Sequence, residues 1–145
     1  MGLLISNYST RNIFVWNNRY NSITLNYTAG GSDVNLLAGM LIGRIGSTGK
    51  AVQSVSTATD GSQVPIGILV QNYLIPAGTT VGIEIGIAGD VDLNALIFAG
   101  SPADTINTQI TQDSGNVQMG TVGDILNGKG ILPISSTEMT YEDNQ

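Results

Sequence analysis

Between Val81 and Ile87 the chain alternates Val81, Ile83, Ile85 and Ile87 with Gly82, Glu84, Gly86 and, one step on, Ala88. A repeat of two places every large apolar side chain on one face of an extended strand, whereas a helix would scatter the same residues around its axis. The glycines on the opposite face leave room for a closely packed neighbour. A strand cannot satisfy its own backbone groups, so this segment commits the chain to a sheet and obliges other segments to pair with it.

Several segments read as partners. Met40 to Ile45 and Lys50 to Val55 flank Gly46-Ser47-Thr48-Gly49, the pattern of a hairpin. Asp60-Gly61 marks a turn, and Val64, Ile66, Ile68 and Val70 then alternate on one face, with Pro65 and Gly67 on the other. The proline puts this strand at an edge or places its start there. Ile131 to Ile134 reads as a last strand. Helix signals are short. Asp92 caps a turn or two up to Phe98, and Ser101-Pro102-Ala103-Asp104 predicts a helix start before Ile106 and Ile110. Thr121 and Asp124 predict another, closed by Gly128. The expected fold class is mostly β, with one to three short helices.

Glycine supplies 19 of 145 residues and charged residues only 11%, which suits a turn-rich β protein. Histidine and cysteine are both absent. That removes the usual general base near neutral pH, the commonest metal ligand and every thiolate mechanism. Asp90-Val91-Asp92-Leu93-Asn94 has oxygen donors spaced by two, but a calcium loop needs glycine at its sixth position and glutamate at its twelfth, where Ala95 and Ser101 stand. Gly82, Gly86 and Gly89 sit within a strand instead of opening a helix, and Gly46 to Lys50 lacks phosphate-loop spacing. A Ser-Lys pair would need Lys50 or Lys129, both beside glycines in expected turns. No enzyme activity, cofactor, metal or small-molecule substrate is expected. The net charge of −6 argues against nucleic acid, and no apolar stretch is long enough to span a membrane.

The distribution of residues points to binding. Five of the eight aromatics lie in the first 27 residues, and the first 32 residues carry +2 while the remainder carries −8. Ile13-Phe14-Val15-Trp16 is a short apolar run ended by Asn17-Asn18, and Ile23, Leu25 and Tyr27 alternate with Thr24 and Asn26. Ala29-Gly30-Gly31-Ser32 follows as an expected flexible joint. Two readings stand side by side. These aromatics are core, or they are anchors for a partner, since aromatics and arginine concentrate at interface hot spots. On the second reading the docking residues are Arg11, Ile13, Phe14, Val15, Trp16, Arg19, Tyr20, Ile23, Leu25 and Tyr27.

From Leu36 onward the chain resembles the head-decoration (cement) proteins of lambdoid bacteriophages. The likeness is carried by Leu37-Ala38-Gly39-Met40-Leu41 leading to Gly49-Lys50-Ala51-Val52, by Asp60 to Leu69, and by Val81 to Ile87 followed by Gly89 to Leu96, with Gly128 to Ile134 as closing segment. The first 33 residues do not match clearly, and residues 100–127 are longer and richer in Thr and Gln than the pattern. The resemblance implies a small β-clip-like fold divided into an N-terminal arm (1–33), a decoration domain (34–137) and an acidic tail (138–145). It also implies a homotrimer on the outer surface of an expanded phage head, made in the host cytoplasm, with the arm docking on the major capsid protein. Another virion surface, fibre or baseplate module that binds a receptor or glycan is the alternative.

Overall fold

A computed structural model describes residues 21–111 and 118–134. Among the described residues ten strands form in chain order: β1 (Asn21–Thr28), β2 (Val34–Leu36), β3 (Leu41–Arg44), β4 (Ala51–Gln53), β5 (Gly67–Leu69), β6 (Tyr73–Ile75), β7 (Thr80–Asp92), β8 (Gln109–Thr111), β9 (Gln118–Thr121) and β10 (Ile131–Ile134). A 3-10 turn spans Leu93–Ala95, and a helix, α1, spans Val122–Gly128. The main sheet runs β1-β7-β5-β3-β4, with β10 added alongside β7; β2–β6 and β8–β9 are separate two-stranded ribbons. The fold is mostly β, as the sequence indicates.

The alternating segment is the spine. β7 pairs antiparallel with β1 from Thr80 to Ala88, with β5 at Ile85 and Gly86, and parallel with β10 from Gly89 to Asp92. Gly67 permits the close β5–β7 approach. A Cβ added there would lie 2.4 Å from Ile85 Cγ2 and 2.6 Å from the Gly86 carbonyl oxygen. The hairpin of β3 and β4 forms as expected, in register Ile42↔Gln53 to Arg44↔Ala51, with Gly49 at φ 71° in the connection.

Two apolar clusters lie against this sheet. One gathers Leu41, Ile68 and Val91 with Leu96, Ile110, Val122, Leu126 and Ile131. The other gathers Ile42, Leu69, Ile83 and Ile85 with Leu36, Ala51 and Ile75. Leu41 and Ile42 are neighbours in β3, and Ile68 and Leu69 are neighbours in β5, yet each pair divides between the clusters. Successive strand residues point to opposite faces, so the middle of the sheet is covered on both sides. The first cluster is closed by the 3-10 turn, β8, α1 and β10; the second by β1 and the β2–β6 ribbon.

This corrects the one-faced alternation expected for Val64 to Val70. The strand is only Gly67–Leu69, all three residues are buried, and Pro65 lies before its start. A central strand covered on both faces has no polar side to reveal.

The helix expected after Pro102 does not form either. The Asp104 carboxylate accepts from the Ser56 N–H at 2.7 Å and from the Ser56 hydroxyl at 2.6 Å, tying this segment to a distant loop instead of capping a first turn. The Thr108 hydroxyl accepts from the Thr105 N–H, and the Thr105 hydroxyl accepts from the Asn107 N–H, local bonds that compete with helix formation. Ile110 instead enters β8, where it is buried. The other two helix signals hold. Asp92 caps the 3-10 turn by accepting from the Asn94 N–H, and Thr121 with Asp124 forms a reciprocal capping box at α1. α1 ends at Gly128, as expected, and the left-handed residue that follows is Gly130, at φ 83°. The expected flexible joint is tied down: Ala29 is buried, its N–H donates to the Thr79 carbonyl, and the Gly30 carbonyl accepts from the Gly78 N–H.

Side-chain size is tightly constrained at Gly43, where a Cβ would lie 2.2 Å from the Ser62 carbonyl oxygen. Gly43→Ala forces the backbone to move and is expected to cost about 1–3 kcal/mol. Leu126→Ala empties a fully buried site in the first cluster and is expected to cost about 2–5 kcal/mol. Urea unfolding midpoints measure both losses. An unchanged midpoint in Leu126→Ala would contradict the placement of α1 in the core.

Candidate docking surface

Of the ten residues read as docking anchors, Ile23, Leu25 and Tyr27 fall on β1. Arg11, Ile13, Phe14, Val15, Trp16, Arg19 and Tyr20 lie outside the described residues. β1 stands at one end of the main sheet, with β4 at the other, and is held by β7 over its whole length. Its odd-numbered residues Ile23, Leu25 and Tyr27 are half-buried and pack against the second cluster, while Ser22, Thr24 and Asn26 are exposed. Thr28 and Thr80 join their hydroxyls across the two strands at 2.9 Å. Gly82, opposite Asn26, keeps this outer surface low: a Cβ there would lie 3.0 Å from Thr24 Cγ2. The outward face is therefore polar, with Glu84 opposite Thr24 as its charged residue, and the apolar residues of β1 are turned inward.

Position in the sheet fixes where the described chain begins. Asn21 pairs with Ala88 near the middle of β7, and β1 runs antiparallel from there towards Thr80. The described chain therefore begins beside Ala88 of β7. β10 is the neighbour of residues 89–92, and Ile134 is in register with Asp92.

Five carboxylates of the described residues hold loops. The Ser62 side chain, and then its backbone N–H, hold the Asp60 carboxyl below the usual carboxylate range. The Thr121 backbone N–H, then its side chain, do the same for Asp124. Asp33 accepts from the Ala77 N–H, joining the start of β2 to the loop after β6. Asp104 fixes Ser56, and Asp92 caps the 3-10 turn. Among the described residues no three His, Cys, Asp or Glu side chains gather as a metal site, and no helix is long and apolar enough to cross a membrane. What this arrangement offers is surface: a polar outer sheet face, and exposed apolar residues elsewhere.

Sequence reading missed those apolar residues. Leu74, on β6, is 72% exposed, although it lies between two residues that point inward. The available signal was the short apolar run Tyr73-Leu74-Ile75 between Asn72 and Pro76. A three-residue strand is too short for periodicity to declare itself.

The model of a family described as bacteriophage lambda head decoration protein D matches residues 17–119, more than two-thirds of the chain. Comparison with curated proteins returns no match. The matched stretch takes in β1 to β8 and the beginning of β9. Residues 122–134 lie beyond it, yet supply Val122, Leu126 and Ile131 to the first cluster.

Both lowered carboxyls make stability fall in acid. A folded-state pKa below the unfolded value of 3.8 gives a contribution that is complete well above pH 3.8 and disappears as pH falls through the lowered values. Melting temperature is expected to drop below that pH, and the drop is expected to be smaller in the double variant Asp60→Asn, Asp124→Asn. Identical acid profiles for the two proteins would show that these turns do not carry the effect.

Proposed function

The chain belongs to the bacteriophage lambda head decoration protein D family, a structural family and not an enzyme family, and from its place in phage-capsid decoration we propose that it is a cement. In this reading it binds the outer surface of an expanded head as a homotrimer and stabilises that shell, with the major capsid protein as its partner. The family match is the observation that carries the reading. Two features of the chain support it. The middle of the main sheet is covered on both faces and five of the described carboxylates hold turns and loops, which suits a rigid part. The segment before β1 holds four of the chain's eight aromatics and two of its three arginines.

Docking is assigned to the arm. Ile13, Phe14, Val15, Trp16 and Tyr20 bury apolar surface against the capsid protein, and Arg11 and Arg19 steer the approach to acidic loops. Ile23, Leu25 and Tyr27 take part by anchoring β1 to the body, so that whatever holds the arm also holds the sheet. Three arms per trimer add avidity.

The direct experiment is to mix the purified protein with expanded and unexpanded shells and measure which are coated. Coating of expanded shells, with higher resistance to heat or pressure, is the expected result; equal coating of both kinds, or of neither, overturns the reading. Trp16→Ala is expected to weaken coating by about 1–3 kcal/mol. Deleting residues 2–20 leaves β1 in place and is expected to abolish coating with little change in the far-ultraviolet circular dichroism. A deletion through residue 33 would remove β1 and confuse loss of docking with loss of fold.

A further inference from the structure

Asn127-Gly128 is the one Asn-Gly pair in the chain, and Asp60-Gly61 the one Asp-Gly pair. Each puts a side-chain carbonyl carbon next to a backbone nitrogen that no following side chain shields. Such a nitrogen can attack the carbonyl carbon and close a ring, the chemistry that makes asparagine thermolabile. The fold treats the two pairs differently.

At Asp60-Gly61 both reacting groups are held. The Gly61 N–H donates to Gln63 Oε1 at 2.9 Å, and Gln63 is itself buried. The Asp60 carboxylate accepts from the Ser62 N–H at 3.0 Å and from the Ser62 hydroxyl. These bonds keep it ionised, and an ionised carboxylate is a poor electrophile. Asn127-Gly128 lies instead in the last turn of α1, and residues 127–130 are all exposed. In a helix the Gly128 N–H points back along the axis, so attack waits for this turn to open. Opening costs little here. α1 has seven residues, too few to persist without packing, and its buried residues Val122 and Leu126 both precede Asn127. What must break are the bonds from the Lys129 N–H to the Ile125 and Leu126 carbonyls and from the Gly130 N–H to the Asn127 carbonyl. Helix ends held in this way fray.

We infer that Asn127 is a modification site, at which the chain converts its own asparagine to aspartate and isoaspartate with water as co-reactant. The Gly128 nitrogen bonds to Asn127 Cγ, the Cγ–Nδ2 bond breaks, and ammonia leaves with the proton lost by the Gly128 amide. Water then opens the ring. Breaking the new bond from nitrogen to Cγ gives aspartate, and breaking the original peptide bond gives isoaspartate, with the main chain rerouted through the side chain. Nothing is oxidised or reduced. Either product puts negative charge at the C-terminal end of α1, where the helix dipole disfavours it. Isoaspartate also adds a main-chain carbon and displaces the carbonyl that accepts from Gly130. The Gly130 carbonyl accepts from the Gly89 N–H where β10 begins to pair with β7, and the next residue, Ile131, is buried. The modification therefore loosens the seam between α1 and β10. This chemistry is independent of what the chain binds.

The test holds the full chain in warm, mildly alkaline buffer below its melting temperature. Peptide mapping by mass spectrometry locates the conversion, and enzymatic methylation of the new carboxyl reads isoaspartate. Asn127 is expected to convert ahead of every other asparagine, and Asp60-Gly61 to stay unchanged. A Cβ at Gly128 meets nothing within 4 Å, so Gly128→Ala is expected to keep the circular dichroism spectrum. It is expected to slow conversion roughly fivefold or more, the factor that alanine's helix preference over glycine alone supplies. Asn127→Gln, which disfavours the ring, is expected to remove the signal from this peptide and replaces Gly128→Ala should that spectrum change. Aged protein is expected to melt lower than fresh protein, and Asn127→Asp, which carries one of the two products, lower than the unaltered chain. Another asparagine that converts first, isoaspartate at Asp60, an unaltered rate in Gly128→Ala or a signal that survives Asn127→Gln overturns the inference. Aged protein that melts like fresh protein overturns the loosening of the seam.

Discussion

Two-sided burial of the central strands is the constraint on which the rest of the structure depends. Leu41 and Ile42, and again Ile68 and Leu69, send adjacent side chains into different clusters. A sheet with one wet face needs a single cover, but β3 and β5 need two. One cover is local to the first half of the chain, where β1 and the β2–β6 ribbon close over Ile42, Leu69, Ile83 and Ile85. The other comes from far along the sequence, where the 3-10 turn, β8, α1 and β10 close over Leu41, Ile68 and Val91. β7 is long enough to serve both, giving Ile83 and Ile85 to one cluster and Val91 to the other. The family match stops at residue 119, but the second cover does not.

With both faces closed, the loops have to be stapled, and the chain does this with its few acids. Asp33, Asp60, Asp92, Asp104 and Asp124 each accept from a backbone N–H in a turn, a cap or a neighbouring loop. Charge placed this way fixes geometry at short range and leaves long stretches of surface neutral, including the whole β2–β6 ribbon. The scarcity of charge in the composition and the order of the loops are thus one design, and both favour a part that holds its shape while other surfaces close on it.

How legible this was from sequence depended on whether a residue's surroundings were local. The alternation of Val81 to Ile87, the Gly46 to Gly49 hairpin, the Asp92 cap and the Thr121–Asp124 capping box all express themselves within a few residues, and each formed. The Pro102 helix signal was equally local but was overruled by Ser56, which no neighbouring residue announces. Gly67–Leu69 misled for a related reason: the second face of that strand is covered by parts of the chain remote in sequence, so a one-faced pattern was the wrong template. The three-residue strands β2 and β6 carried too little pattern to be seen, and the exposure of Leu74 went with them. For the docking residues, sequence identified an aromatic, basic segment, and structure places its last three members, Ile23, Leu25 and Tyr27, on a strand that belongs to the body.

That placement bears on how a cement of this design would carry load. Tension on the arm enters the body at Asn21, at one end of β1, and acts along the strand. β1 is antiparallel to β7 over eight residues, so a pull along its axis loads the whole hydrogen-bond ladder at once. Peeling would break the same bonds singly, each at a small net cost. The inward Ile23, Leu25 and Tyr27 resist the same displacement by packing, since sliding by one residue would turn them out to solvent and bring Thr24 and Asn26 in. An arm attached by a flexible glycine joint would have passed force to a swivel. Attached through β1, it would pass force to β7, one of the strands that both clusters share.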